Sequence, residues 1–152
     1  MTVDAAPQSS PSVISPTPDG VDQYFWDGVA EKRLLLQKCA DCDVLRQPPS
    51  PMCPECNSLE WNTIEACGRA KVYSWIQSQH PTDPGAPPRI IVVLDLEEGV
   101  RFVCNLVGID LAAIHFGMNA ELCWEEYPSM TQKPAQILPQ FRPASDASEG
   151  NA

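Results

Sequence analysis

Cys39-Ala40-Asp41-Cys42 and Cys53-Pro54-Glu55-Cys56 decide how this chain is read, because two C-x-x-C pairs separated by the ten residues 43–52 can close a tetrahedron around one metal ion. Each C-x-x-C makes a tight knuckle whose two sulfurs point the same way. Two knuckles face to face bring four thiolates to the roughly 2.3 Å that zinc prefers. The separation is shorter than the roughly 15 to 20 residues common between paired knuckles, but a short β-hairpin spans it. All four coordination positions are then filled by protein, which makes the site closed and structural rather than catalytic. Iron takes the same ligands in the same geometry. Disulfides are the other use of such cysteines, but the N-terminus shows neither the basic region nor the apolar run of a secretory signal. A reducing, cytoplasmic compartment follows, where disulfides are rare. A redox C-x-x-C stands singly beside a βαβ pattern, and here it is doubled. The expectation is one structural Zn2+ on Cys39, Cys42, Cys53 and Cys56, with iron as the alternative.

Around that centre, 152 residues leave room for a small metal module joined to a small second domain. The prolines crowd the two ends. Pro7, Pro11, Pro16 and Pro18 lie in a Ser/Thr/Pro leader, and Pro139 and Pro143 lie near a Ser/Asp/Glu/Gly tail. Such segments bury too little apolar surface to offset their chain entropy. The expected organisation is a disordered leader over 1–21, a helix and zinc ribbon over 22–66, a barrel over 67–128, and an extension over 129–152 that loses order after about 143. Ten basic against twenty acidic residues give a net charge of −10, which opposes binding to nucleic acid, whose affinity comes largely from Lys and Arg on phosphates. No apolar run approaches the roughly 20 residues that cross a bilayer, and no basic amphipathic helix suits a membrane surface.

Before the ribbon, residues 21–32 read as a short helix with Asp22 as N-cap and an aromatic stripe from Tyr24 and Phe25. That stripe packs either on the chain's own ribbon or on another protein. Leu34-Leu35-Leu36 leads into the first knuckle, and residues 59–65 alternate and close the ribbon. About 30 residues without a metal make no stable core, so metal binding and ribbon folding are one event. From Gly68 the text is all β: residues 71–78, 89–96 and 100–107 read as strands, with Gly99 in a hairpin turn. A helical turn near residues 110–114 precedes a last strand over 120–126. Four or five short strands with that one interruption are the rhythm of an OB-type Greek-key barrel.

This framework carries no convincing reactive constellation. His80 and His115 stand apart from any serine or cysteine motif, and the adjacent pairs Glu97-Glu98 and Glu125-Glu126 diverge along a strand or turn. Cys104 and Cys123 sit in apolar runs as small buried hydrophobes. A binding role is easier to defend: Tyr73, Trp75, Phe102 and Trp124 could furnish a barrel face, or fill the barrel. Arg69, Lys71, Arg89 and Arg101 concentrate cationic charge, or are ordinary solvated strand residues.

These residues resemble a family of small proteins with an N-terminal helix, a rubredoxin-like zinc ribbon and an OB fold, long catalogued as a domain of unknown function and linked to acyl-CoA metabolism. Tyr24-Phe25-Trp26-Asp27-Gly28 looks like the family's aromatic helix. Cys39-x-x-Cys42, Pro48-Pro49 and Cys53-Pro54-x-Cys56 look like its ribbon, and Gly68-Arg69-x-x-Val72-Tyr73-Ser74-Trp75 like its first barrel strand. Gly117-Met118 and Leu138-Pro139-x-Phe141-Arg142-Pro143 are similar to its closing motifs. The resemblance covers residues 22–143. It implies an accessory subunit of a thiolase-like enzyme, such as a steroid side-chain aldolase or a lipid-transfer thiolase. The thiolase-like chain would hold the catalytic residues, while this chain would support it in a hetero-oligomer and help hold or pass the CoA thioester. No residue here carries over as a CoA contact. Two departures stand out: Asp43 replaces the glycine usual after the first knuckle, and Cys67 is an added thiol. An aromatic helix and a Pro-Phe-Arg-Pro exit segment look built to lie against another protein, so Phe25, Trp26 and Phe141 are the expected partner contacts. The alternatives are a stand-alone acyl-CoA-binding module, electron transfer through iron, and, against the net charge, single-strand nucleic-acid binding.

Overall fold

The computed structural model describes residues 16–79, 85, 87–128 and 135–145. The expected leader up to residue 15, His80, and the tail beyond residue 145 lie outside the described residues.

Helix α1 (Gln23–Ala30) comes first. Its cap differs from the expectation. The Asp22 carboxylate makes no cap hydrogen bond, accepting instead from the Trp26 indole N–H at 3.1 Å and the Asp19 N–H at 2.8 Å. An indole one turn along competes successfully for the oxygens that the first-turn amides would otherwise take. At the other end Lys32 adopts φ 57°, with the Lys32 N–H donating to Val29 O and the Arg33 N–H to Gly28 O. This Schellman closure satisfies the last carbonyls and turns the chain sharply into the ribbon. Val29 and Gly28 face inward. Any Cβ at Gly28 would lie 2.8 Å from Leu35 Cγ, so the missing side chain is what lets helix and ribbon approach.

Strands β1 (Leu35–Cys39), β2 (Leu45–Arg46) and β3 (Trp61–Glu65) form an antiparallel sheet in the order β2-β1-β3. Then come β4 (Arg69–Ser78), β5 (Arg89–Leu96), β6 (Arg101–Asn105), a 3-10 turn at Leu111–Ala113, β7 (Asn119–Tyr127) and β8 (Gln136–Pro143). These five strands make one antiparallel sheet in the order β6-β5-β4-β7-β8. A parallel bridge between Leu106 and Phe141, with the Val107 N–H donating to Phe141 O at 2.8 Å, ties its two ends together. The result is a nearly closed OB-like barrel, as the strand rhythm implied.

The barrel's last wall corrects the expected boundary at residue 128. β8 pairs with β7 along its whole length, from Ala120–Pro143 to Tyr127–Gln136, and is barrel rather than extension. Pro139 and Pro143 hid it, since proline argues against an inner strand. They are tolerated because the far side of β8 meets β6 at the single Leu106–Phe141 bridge.

One apolar core serves both parts. Leu34 and Leu36 from the ribbon join Val72, Val92, Leu94, Phe102, Leu106 and Phe141 from the barrel, each at most 4% exposed. The ribbon is therefore not a pendant module: the strand that leads into the first knuckle is anchored in the barrel's interior.

Candidate metal centre

The four cysteines converge as their spacing implied. β1 ends on Cys39, which places the first knuckle at the tip of the ribbon sheet. The two knuckles repeat one another: the Cys39 N–H donates to Val44 O and the Cys53 N–H to Ser58 O, both at 2.9 Å. The residue after each second cysteine turns left-handed, Asp43 at φ 62° and Asn57 at φ 60°. Asp and Asn are the side chains that visit this region at least cost, so Asp43 performs the turn for which glycine is usual. Lys38 holds its carboxylate at 2.7 Å. Asp43→Gly should therefore leave stability within about 1 kcal/mol, the relieved turn offsetting the lost surface ion pair. Asp43→Val should cost roughly 1–3 kcal/mol, because a β-branched residue suits this backbone poorly; thermal unfolding of the metal-loaded chain measures both.

Backbone amides orient the sulfurs. The Asp41 and then the Cys42 N–H groups bond Cys39 Sγ and hold its thiol down at about 6. The Cys56 and Glu55 N–H groups lower Cys53 in the same manner, with burial opposing. The Val44 N–H pulls down on Cys42, but burial and the neighbouring thiols outweigh it, and Cys42 is raised to about 12. The Ser58 N–H and Cys42 pull down on Cys56, but burial, Cys39 and Cys53 together raise it. Within each knuckle the first sulfur is shifted toward the thiolate and the second away from it, and a bound cation favours the thiolate of all four.

The sulfur set fits a tetrahedral ion. Cys39 and Cys56 Sγ are 3.5 Å apart, as are Cys42 and Cys53 Sγ, and all four lie within 4.8 Å of one another. A tetrahedron with arms of ~2.3 Å has edges of ~3.8 Å. Cys39 and Cys53 are wholly buried. Trp61, paired across from Cys39, meets the Tyr24 ring of α1 at a tilt, 5.1 Å between ring centres, so the helix braces the ribbon beside the centre.

Sequence reasoning missed the polar link that fixes the proline hairpin. Gln37 and Arg46 face each other across β1 and β2 and are almost wholly buried. The Ser50 N–H donates to Gln37 Oε1 at 2.9 Å, and Arg46 Nη1 donates to Ser50 O at 3.1 Å. The only available sign was a charged residue beside an apolar strand, which reads as solvated.

The other singled-out residues separate. Phe25 and Trp26 are half-buried on α1 with edge-on rings 5.2 Å apart, and retain an outward face. Phe141 does not: it is 0% exposed, beside Phe102 in the barrel core, and the expectation that it contacts a partner is corrected. The pleat turns Phe141 inward toward Leu122, its cross-strand neighbour. Phe102 likewise fills the barrel, whereas Tyr73 lies exposed under the Arg101 guanidinium, 3.6 Å from its ring centre. Two of the four expected cations are paired, Arg69 with Glu97 and Arg101 with Asp95. Burial raises the Cys67 thiol, which donates to Glu97 Oε2 at 3.0 Å, and pushes Cys104 up to about 12. Such thiols are poor nucleophiles.

With this geometry in view, comparison with known proteins places the chain. Residues 26–61 match the rubredoxin-like zinc ribbon domain of ChsH2 and residues 63–125 its C-terminal OB-fold domain. A solved chain of an assembly titled Ltp2-ChsH2(DUF35) aldolase is 39% identical and superposes with a TM-score of 0.74, covering 86% of this chain and 100% of that one. The chain belongs to the ChsH2 (DUF35) family. ChsH2-like ribbons are zinc ribbons, and with the four-sulfur geometry above the metal is one structural zinc. Two curated relatives are longer. The probable enoyl-CoA hydratase alpha subunit of Thermomonospora curvata is 41% identical over 90% of this chain and 42% of its own length. The 3-oxo-4,17-pregnadiene-20-carboxyl-CoA hydratase alpha subunit of Mycobacterium tuberculosis is 36% identical over 69% of this chain and 34% of its own. This chain thus spans less than half of either relative. Among the described residues no helix is long and apolar enough to cross a membrane.

Proposed function

We propose that this ChsH2-like chain is the non-catalytic, zinc-pinned subunit of a thiolase-like acyl-CoA enzyme, of the steroid side-chain aldolase or lipid-transfer thiolase type. The partner holds the reacting groups, and this chain supports it and helps hold the CoA thioester. The observation that carries the reading is the match that covers the whole ChsH2 chain of a two-protein aldolase at 39% identity. The hydratase names belong to chains of which this one covers 42% and 34%, and weigh less for that reason. The metal site is closed by four protein ligands, and burial pushes the Cys104 thiol outside it up to about 12.

Docking falls to the outward face of α1, where Phe25 and Trp26 form an aromatic pair on a braced helix. Buried tryptophans at interface centres carry roughly 2 kcal/mol or more each. Trp26→Ala should therefore weaken association with the thiolase-like chain at least about 30-fold while one zinc per chain remains; titration calorimetry and metal analysis read the two separately. Equal affinity for both proteins would remove α1 from the interface. Thioester turnover by the purified chain alone would overturn the reading, and tight binding of acyl-CoA by the isolated chain would favour a stand-alone binding module.

A further inference from the structure

Between the start of α1 and the proline turn of the ribbon lies a cleft of about 370 Å³, lined by Asp19, Asp22, Phe25, Trp26, Gln47 and Pro48. Its polar lining offers mostly acceptors. Asp22 accepts from the Asp19 and Trp26 N–H groups, and Asp19 from the Val21 N–H at 2.9 Å. Among the ion pairs of the described residues neither carboxylate has a cation. Gln47 Oε1 is buried with no donor at all, and a buried acceptor without a donor is costly. Its apolar walls are the two aromatic rings, Val21, Pro48 and Pro49.

We infer that this cleft receives an arginine side chain of the partner polypeptide, its guanidinium on Asp19, Asp22 and Gln47 and its plane against the Trp26 ring. Acceptors from three residues lining one cleft with aromatic walls want several donors in a plane, and a guanidinium carries five and stacks on rings, whereas an ammonium is a compact, strongly hydrated point charge. The chain is a poor source of its own guest. Residues 1–15 and 146–152 contain no lysine or arginine, and Lys133 is the one such residue outside the described positions. The net charge of −10 also favours a basic guest from elsewhere. The inference rests on the subunit reading above and adds the chemistry of what docks.

Two measurements test it on the full, zinc-loaded chain. In the first, N-acetyl-arginine amide is titrated while the Trp26 indole N–H resonance is followed, with the uncharged isostere N-acetyl-citrulline amide as control. A saturable shift at millimolar arginine amide, absent with citrulline and lost in Asp19→Asn/Asp22→Asn, is expected. Asparagine keeps the oxygen that the Trp26 N–H uses, so the helix start is preserved. An unmoved resonance, or equal shifts with both probes, overturns the inference. In the second, affinity for the thiolase-like chain is measured against salt. The double Asn variant should bind at least tenfold more weakly and with a flatter salt dependence, at unchanged zinc content and unfolding temperature. Equal binding overturns the inference, as does Lys133→Ala reproducing the Asn effect, since the chain would then fill its own cleft. Should the wild-type chain not bind the thiolase-like protein, the subunit reading fails, and the arginine titration still judges the cleft.

Discussion

Cys53→Ser is expected to abolish stoichiometric zinc and unfold the ribbon. Cys53 is wholly buried at the centre of the four-sulfur cluster, and serine neither reaches zinc as a thiolate nor satisfies the Cys56 and Glu55 amides in the same way. Structural zinc contributes an apparent ~10–16 kcal/mol to folding in small ribbons, against a total domain stability of about 5–15 kcal/mol. The ribbon sheet has three short strands, one of only two residues, and no comparable reserve. Because Leu34 and Leu36 continue into the barrel core, the damage should spread: ribbon amides lose protection from hydrogen exchange, and the barrel's unfolding midpoint falls. One zinc per chain at unaltered affinity in Cys53→Ser would show that the ion is not held by four thiolates.

Phe141→Ala has the next largest expected effect, and it acts on stability rather than on docking. The ring is wholly buried, 6.2 Å from that of Phe102, and its backbone bridges to Leu106 where β8 closes on β6. Truncating a buried phenylalanine costs about 3–5 kcal/mol in lost transfer and residual cavity. Denaturant unfolding should show a midpoint lowered by that amount at similar slope. A variant of unchanged stability that fails to bind its partner would return Phe141 to the surface role that its sequence context suggested.

These two residues mark how far the sequence could be read. The zinc centre was legible because ligand identity and spacing alone determine it, and the left-handed Asp43 and Asn57 only refine it. The barrel was legible through its β-branched runs, as in β5, whose alternate residues are buried from Val92 to Leu96. Residues 136–143 were not, because two prolines outweigh an apolar pattern when nothing in the sequence says that one side of the strand goes unpaired. Phe141 followed its segment into the wrong role. Asp22 does stand at the N-cap, but its carboxylate takes a different donor, since first-turn amides and an indole use the same oxygens and only geometry chooses between them. The Gln37–Ser50–Arg46 link and the acceptor-lined cleft each join segments whose meeting no local pattern announces.

The late arrival of β8 has a consequence for the nascent chain. On the ribosome, β4 to β7 are all made by residue 127, but the strand that covers the free side of β7 and ties back to β6 ends at residue 143. At roughly 5–20 residues per second, those sixteen further residues take about 1–3 s to translate. A sheet that still lacks β8 has two bare edges and an unroofed apolar interior, open to chaperones and to neighbouring chains. A ribosome stalled between residues 128 and 136 would release a sticky fragment rather than a smaller working protein.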